Sequence, residues 1–207
     1  MNSANKLTVT RIFLVPFYIL FMELGGFYNS ILALIVFCIA SITDFFDGQI
    51  ARKNRVITPL GVFLDPLADK LLMTAAFICF VDIHILGINA WMVIVIIARD
   101  FLINGLRSIL ACRNVIVPSD KFAKFKTTSQ IIAIIIVMII LISNEGLFKF
   151  TGMTAESLKL YDHGHYAVLA VIMKKTPLWA ILVTVILTVS SGLNYVWKYR
   201  RLLDENN

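Results

Sequence analysis

Long apolar runs alternate with short polar stretches along the chain, and six runs stand out: 12–22, 31–43, 60–81, 91–110, 131–142 and 178–196. A helix of about 20 mostly apolar residues is what a bilayer core about 30 Å thick requires, so the pattern predicts six membrane-spanning helices. The first two runs are short by themselves. With their flanking polar turns they become spans over roughly 7–27 and 30–50. Glu23 interrupts the end of the first run and no A-x-A-like site follows, so it reads as a retained span rather than a cleaved signal segment. Neither an internal repeat nor a Pro/Gly/Ser linker divides the chain, which reads as one domain over 1–207.

Composition supports that pattern. Of 207 residues 59% are hydrophobic and only 15% charged, with a mean hydropathy of +0.84. Six spans need about 120 apolar residues, close to what the chain holds, whereas a soluble domain carries nearer a quarter charged residues. The expected fold is an all-α integral membrane protein, and soluble, disordered and disulfide-scaffold classes are excluded. A net charge of +6 raises the question of nucleic acid, but Lys and Arg of a membrane chain gather first in cytoplasmic loops. No nucleic-acid partner is expected. Thirteen Lys and Arg fall on one side of the alternating spans and only Lys149, Lys159, Lys174 and Lys175 on the other, with Lys70 and Arg99 inside spans. Both termini are therefore expected in the cytoplasm. The stretch 144–176 is then the one long connection, on the opposite side, and its His163-x-His165 pair reads as part of a solvated loop. Cys38, Cys79 and Cys112 stand singly in apolar surroundings, without disulfide or zinc spacing.

Ionisable groups beside membrane spans are costly and tend to mark function. From Thr43 the sequence runs TDFFDGQIARKNRVITPLGVFLDPLADK, placing Asp44 and Asp47 at the end of span two and Asp65 and Asp69 at the start of span three. Positions three and four apart share a helix face, so two carboxylate pairs can face each other across a short cytoplasmic turn. Four carboxylates at close quarters need counter-ions to stay ionised. An all-oxygen donor set without His or Cys favours Mg²⁺ or Mn²⁺, and two such ions are an established device for phosphoryl displacement. The expected site is a polar di-metal cavity at the cytoplasmic side. Gly48, Ala51 and Gly61 on the carboxylate face would let a bulky ligand approach the helix backbone, and Arg52 offers a planar fork for phosphate oxygens.

With these residues in place, the segment resembles, at all of its fixed positions, the signature of the CDP-alcohol phosphotransferase family. The resemblance implies six-helix membrane enzymes, usually homodimers, that displace CMP from a CDP-linked alcohol with an acceptor hydroxyl. It further implies metal binding by Asp44, Asp47, Asp65 and Asp69, with Asp69 also the general base. By the same resemblance Gly48, Ala51, Arg52 and Gly61 surround the CDP group, and Thr58 lies in the turn against the nucleotide phosphates.

The acceptor must be read from cations elsewhere. Arg99, within span four, shares a helical side with Arg107 eight residues later, and an intramembrane arginine must face a polar cavity or a partner. Adjacent Asp100 offers a simple neutralising pair as the competing explanation. Before span five comes Lys121-Phe122-Ala123-Lys124-Phe125-Lys126-Thr127-Thr128, where topology alone would also place lysines. Together these cations could hold a phosphomonoester. The resemblance narrows here to the family's bacterial branch that uses sn-glycerol 3-phosphate, whose span four is similar to AREixxxxLR and whose next segment is similar to GKxKTTxQ. This chain reads ARDFLINGLR from Ala98 and AKFKTTSQ from Ala123, and its opening Asn5-Lys6-Leu7-Thr8-Val9-Thr10-Arg11 is similar to that branch's PNxLTxxR. Ala4 for Pro, Asp100 for Glu and Ala123 for Gly are its departures. The resemblance implies Asn5, Thr8 and Arg11 beside CDP-diacylglycerol, and Arg99, Arg107, Lys124 and Lys126 on the acceptor phosphate.

The implied reaction is transfer of a phosphatidyl group from CDP-diacylglycerol to sn-glycerol 3-phosphate in a bacterial cytoplasmic membrane, among membrane lipids. Direct displacement is expected, since no Ser, Cys or His accompanies the aspartates as a covalent nucleophile. The rival enzyme readings use inositol phosphate or serine as acceptor. A divalent-cation transporter is the rival outside enzymes, disfavoured because the acids cluster at one face and no inverted repeat is visible.

Overall fold

The computed structural model describes residues 3–54, 59–112, 121–154 and 165–204, with side chains over 9–43, 70–110, 125–154 and 170–199. Six long helices carry the described chain: α1 (Ser3–Leu24), α2 (Phe27–Asn54), α3 (Pro59–Asp82), α4 (Ala90–Cys112), α5 (Lys121–Thr151) and α6 (His165–Asp204). A short 3₁₀ turn, His84–Leu86, joins α3 to α4, and no strand occurs among the described residues. Each of the six apolar runs lies inside one helix.

Two helices correct the sequence-based boundaries. The stretch 144–176 is not one long loop: α5 continues to Thr151, and α6 is already under way at His165. An apolar run marks where a helix is apolar, not where its hydrogen bonding ends. Asn144 stays helical, its Nδ2 donating to the Ile140 carbonyl at 3.0 Å, and Gly146 packs against the Phe27 ring. Lys174, Lys175 and Pro177 likewise lie inside α6. His163 lies outside the described residues.

α1 lies against α2 and α3, α5 against α6 and α2, and α4 against α6. The α1–α2 reversal is made by Gly25 and Gly26, both at positive φ (57° and 84°), a conformation open to glycine at little cost. α5 clasps that turn: Glu145 Oε1 accepts from the Gly26 N–H at 3.1 Å, and Phe150 meets Phe27 edge-on at 5.5 Å. Between the helices lies an apolar core around Tyr18, Phe37, Phe77, Phe80, Ile96, Ile134, Met138 and Ile181.

The outside of the bundle is apolar as well. Phe13, Ile94, Phe101, Leu193 and Trp197 are all more than 60% exposed, and an exposed apolar face of this extent needs a non-aqueous neighbour. Within α5 and α6, 125–151 and 170–199 are long and apolar enough to cross a membrane, although only 39% and 33% of their most apolar stretches are buried. A helix apolar on both its packed and unpacked faces suits a bilayer rather than water.

Candidate active site

Opposite the glycine turn, four helices meet around a polar cavity of about 100 Å³, room for several waters or one compact polyatomic anion. Lys70 of α3, Arg99, Asp100, Asn104 and Arg107 of α4, and Lys126 of α5 line it, closed on the last side by Ser191, Asn194 and Tyr195 of α6. Four cations thus line the cavity together with Asp100, the one carboxylate among the described lining residues. Asp100 is buried and works as a hub. Its Oδ1 accepts from Lys126 Nζ and, at 3.3 Å, from Arg99 Nη1; its Oδ2 lies 3.8 Å from Lys70 Nζ and accepts from Gln130 Nε2 at 3.4 Å. Burying like charges together is expensive unless an opposite charge gathers them. One carboxylate does so here for Lys70, Arg99 and Lys126, and among the described lining residues the cations outnumber it. Arg107, two turns on from Arg99, makes no ion pair among the described residues and adds to that excess.

The local sequence explains the convergence. Arg99 and Arg107 are eight apart on α4, so both reach the same side, and Asp100 is turned toward α3 and α5. The competing explanation of Arg99 as a simple pair with Asp100 is therefore half the picture: the pair forms, and Arg99 still lines the cavity. From α6, Ser191 Oγ accepts from Arg99 Nη2 at 2.7 Å. Gly192 lies so close that a Cβ there would stand 3.0 Å from Arg99 Cγ and 3.1 Å from its Nε.

The other sequence-nominated residues divide as follows. Arg11 is buried on α1, only 2% exposed; Asn5 and Thr8 lie on the same helix, their side chains outside the described set. Asp44, Asp47, Gly48, Ala51 and Arg52 lie in the last half of α2, and Gly61, Asp65 and Asp69 in the first half of α3. All eight have side chains outside the described set, as does Lys124 on α5, and Thr58 lies outside the described residues altogether. Metal-ligand geometry at the aspartates is thus beyond the described side chains. Among the described residues no group of three His, Cys, Asp or Glu side chains forms a metal site. The α3 residue that follows Asp69 is Lys70, so the positive cavity begins one residue from the last aspartate of the motif.

Lys70, Ser191 and Gly192 are among the contributors that escape sequence reasoning. Lys70 reads from sequence as a stray charge inside a span, and Ser191 and Gly192 as ordinary small residues of an apolar run. The only local signal was Lys70's place directly after the aspartate motif; the contacts from α6 are 92 residues away in sequence.

Several known proteins are similar to this chain in sequence. The CDP-diacylglycerol--glycerol-3-phosphate 3-phosphatidyltransferase of Bacillus subtilis is 43% identical over 145 residues, covering 64% of this chain and 74% of that protein. Its Rickettsia typhi namesake is 39% identical over 138 residues, covering 67% and 76%. The Escherichia coli K12 enzyme of the same name is 34% identical over 139 residues, covering 64% and 74%. Residues 1–189 match the CDP-alcohol phosphatidyltransferase family, and the chain belongs to it.

Proposed function

We propose that the protein transfers the phosphatidyl group of CDP-diacylglycerol to sn-glycerol 3-phosphate, giving phosphatidylglycerol phosphate and CMP, as a multi-pass homodimer of a bacterial cytoplasmic membrane with both termini inside. The observation that carries the choice of acceptor is the four-cation cavity beginning one residue from the aspartate motif. A phosphomonoester brings further negative charge to the cluster that Lys70, Arg99, Arg107 and Lys126 form with Asp100, and arginine forks bind it bidentately. The names of the relatives support the same substrates.

Asp44, Asp47, Asp65 and Asp69 are the residues that would hold two Mg²⁺ or Mn²⁺ ions; four carboxylates spaced three and four apart on α2 and α3 are a hard, all-oxygen donor set that fits such ions. Bound there, the ions supply charge neutralisation for the diphosphate and for the departing CMP. Asn5, Thr8, Arg11, Gly48, Ala51, Arg52, Thr58 and Gly61 line the nucleotide side in this reading. Arg99, Arg107, Lys124 and Lys126 anchor the acceptor phosphate, which leaves the 1-hydroxyl free to approach the β-phosphorus. Asp69 takes the hydroxyl proton as the new P–O bond forms and the bond to CMP breaks. The acyl chains remain in lipid while the headgroup enters the cavity.

The test is CMP release by purified protein in lipid micelles with CDP-diacylglycerol and Mg²⁺, comparing glycerol 3-phosphate, inositol phosphate, serine and no acceptor. Release with glycerol 3-phosphate alone, lost on chelation and restored by Mg²⁺ or Mn²⁺, is the expected result. Release only with another acceptor would overturn the reading of the cavity, and release indifferent to chelation would remove the metals.

A further inference from the structure

We propose that Ser191 and Gly192 of α6 are positioning residues for the acceptor site, seating Arg99 so that its guanidinium is presented to the acceptor phosphate; this rests on the reading of the cavity given above. Three observations carry it. Arg99 sits mid-way along α4, where an arginine side chain is long enough to swing in many directions, yet it is held at both ends of its guanidinium: Nη1 donates to Asp100 Oδ1 at 3.3 Å and Nη2 to Ser191 Oγ at 2.7 Å. Its aliphatic stem passes directly over Gly192, with Cγ, Nε and Cδ at 3.0, 3.1 and 3.6 Å from where a Cβ would stand. Ser191 and Asn194 flank that glycine in the cavity wall itself.

The physical consequence is specific. Any side chain at 192 occupies the path of the Arg99 stem, and the flexible arginine yields before two packed helix backbones do. An added methyl therefore acts on where Arg99 lies more than on whether α4 and α6 pack. A fork placed a fraction of an ångström wrong loses its bidentate grip on a phosphate. Ser191 acts with the glycine: its hydroxyl fixes the rotation of the guanidinium once the stem has passed. Neither residue touches the reacting atoms, so their removal should weaken acceptor binding and spare the chemical step.

The experiment measures KM for glycerol 3-phosphate, KM for CDP-diacylglycerol and kcat in purified Gly192→Ala, Ser191→Ala, Arg99→Lys and the double variant Gly192→Ala/Arg99→Lys, with Arg107→Ala as control. Gly192→Ala is expected to raise the acceptor KM by about tenfold to a hundredfold, the equivalent of one charge-assisted hydrogen bond, with the donor KM unchanged and kcat little altered. Ser191→Ala should act in the same direction and less. The double variant should be no worse than Arg99→Lys alone, because a displaced fork and a missing fork are one loss. Additive effects in the double variant, or equal increases in both KM values, would overturn the proposal, as would an acceptor KM unmoved by Gly192→Ala while Arg107→Ala raises it. If neither Gly192→Ala nor Arg107→Ala moves it, the cavity does not hold the acceptor phosphate and both readings fall. Should Gly192→Ala not fold, Ser191→Ala decides: an unchanged acceptor KM there overturns the proposal.

Discussion

Asp100 shows how one residue can set the character of a site without touching the chemistry. Its carboxylate gathers Lys70, Arg99 and Lys126 in a buried position, and without it three cations would repel one another in a poorly solvated cleft. Asp100→Asn should lower stability by about 2–3 kcal/mol, less than a fully enclosed pair because the cavity admits water. Added glycerol 3-phosphate should recover part of that loss, since the ligand supplies the missing negative charge. Thermal unfolding with and without the ligand measures both; an unchanged midpoint would show that the cations are solvated rather than paired. Asp69→Asn should act differently, leaving CDP binding largely intact while reducing turnover by about 10²- to 10⁴-fold, the range of a lost general base. Substantial residual turnover would remove Asp69 from that role. These residues were not equally legible. The aspartate motif and the Arg99–Arg107 spacing could be read from sequence because each is a local pattern on one helix. Lys70, Ser191 and Gly192 could not, because their significance lies in contacts between helices far apart in the chain.

At the scale of elements, the six apolar runs predicted six helices, and the helices extend well beyond the runs. The difference is largest at α5 and α6, where 144–151 and 165–176 read as part of a polar connection and are helical. What holds the end of α5 is tertiary: Glu145 receives the Gly26 amide, and Phe27 lies between Gly146 and Phe150. No periodicity within 144–151 reveals a partner more than a hundred residues earlier. A Cβ at Gly146 would stand 2.9 Å from Phe27 Cε2, and that ring is already braced by Tyr28 and Phe150. Gly146→Ala should therefore destabilise the bundle by about 1–3 kcal/mol through overpacking. Its acceptor KM should stay at the wild-type value, because this contact lies at the opposite end from the cavity. Unfolding in detergent gives the first quantity and steady-state CMP release the second; wild-type stability would mean that the α1–α2 turn shifts freely against α5.

Among the described residues the molecule is largely apolar inside and out, with Lys70, Arg99, Asp100, Arg107 and Lys126 gathered at one cavity. That distribution explains how a water-soluble acceptor and a lipid donor can meet: the apolar outer faces of the helices suit a bilayer, and the cationic cavity opens where α3, α4, α5 and α6 converge. The protein should remain with membranes through a high-salt or alkaline carbonate wash and leave them only in detergent; release by either wash would contradict the membrane-spanning reading. If the four-cation cavity holds the acceptor's phosphate, Arg107 is the residue at which to ask, because it lines the cavity without an ion pair among the described residues. In Arg107→Ala, KM for glycerol 3-phosphate should rise by about tenfold or more with KM for CDP-diacylglycerol unchanged, the mark of a lost ground-state contact to one substrate. An unchanged acceptor KM, or an equal rise for both substrates, would mean that the acceptor phosphate binds elsewhere.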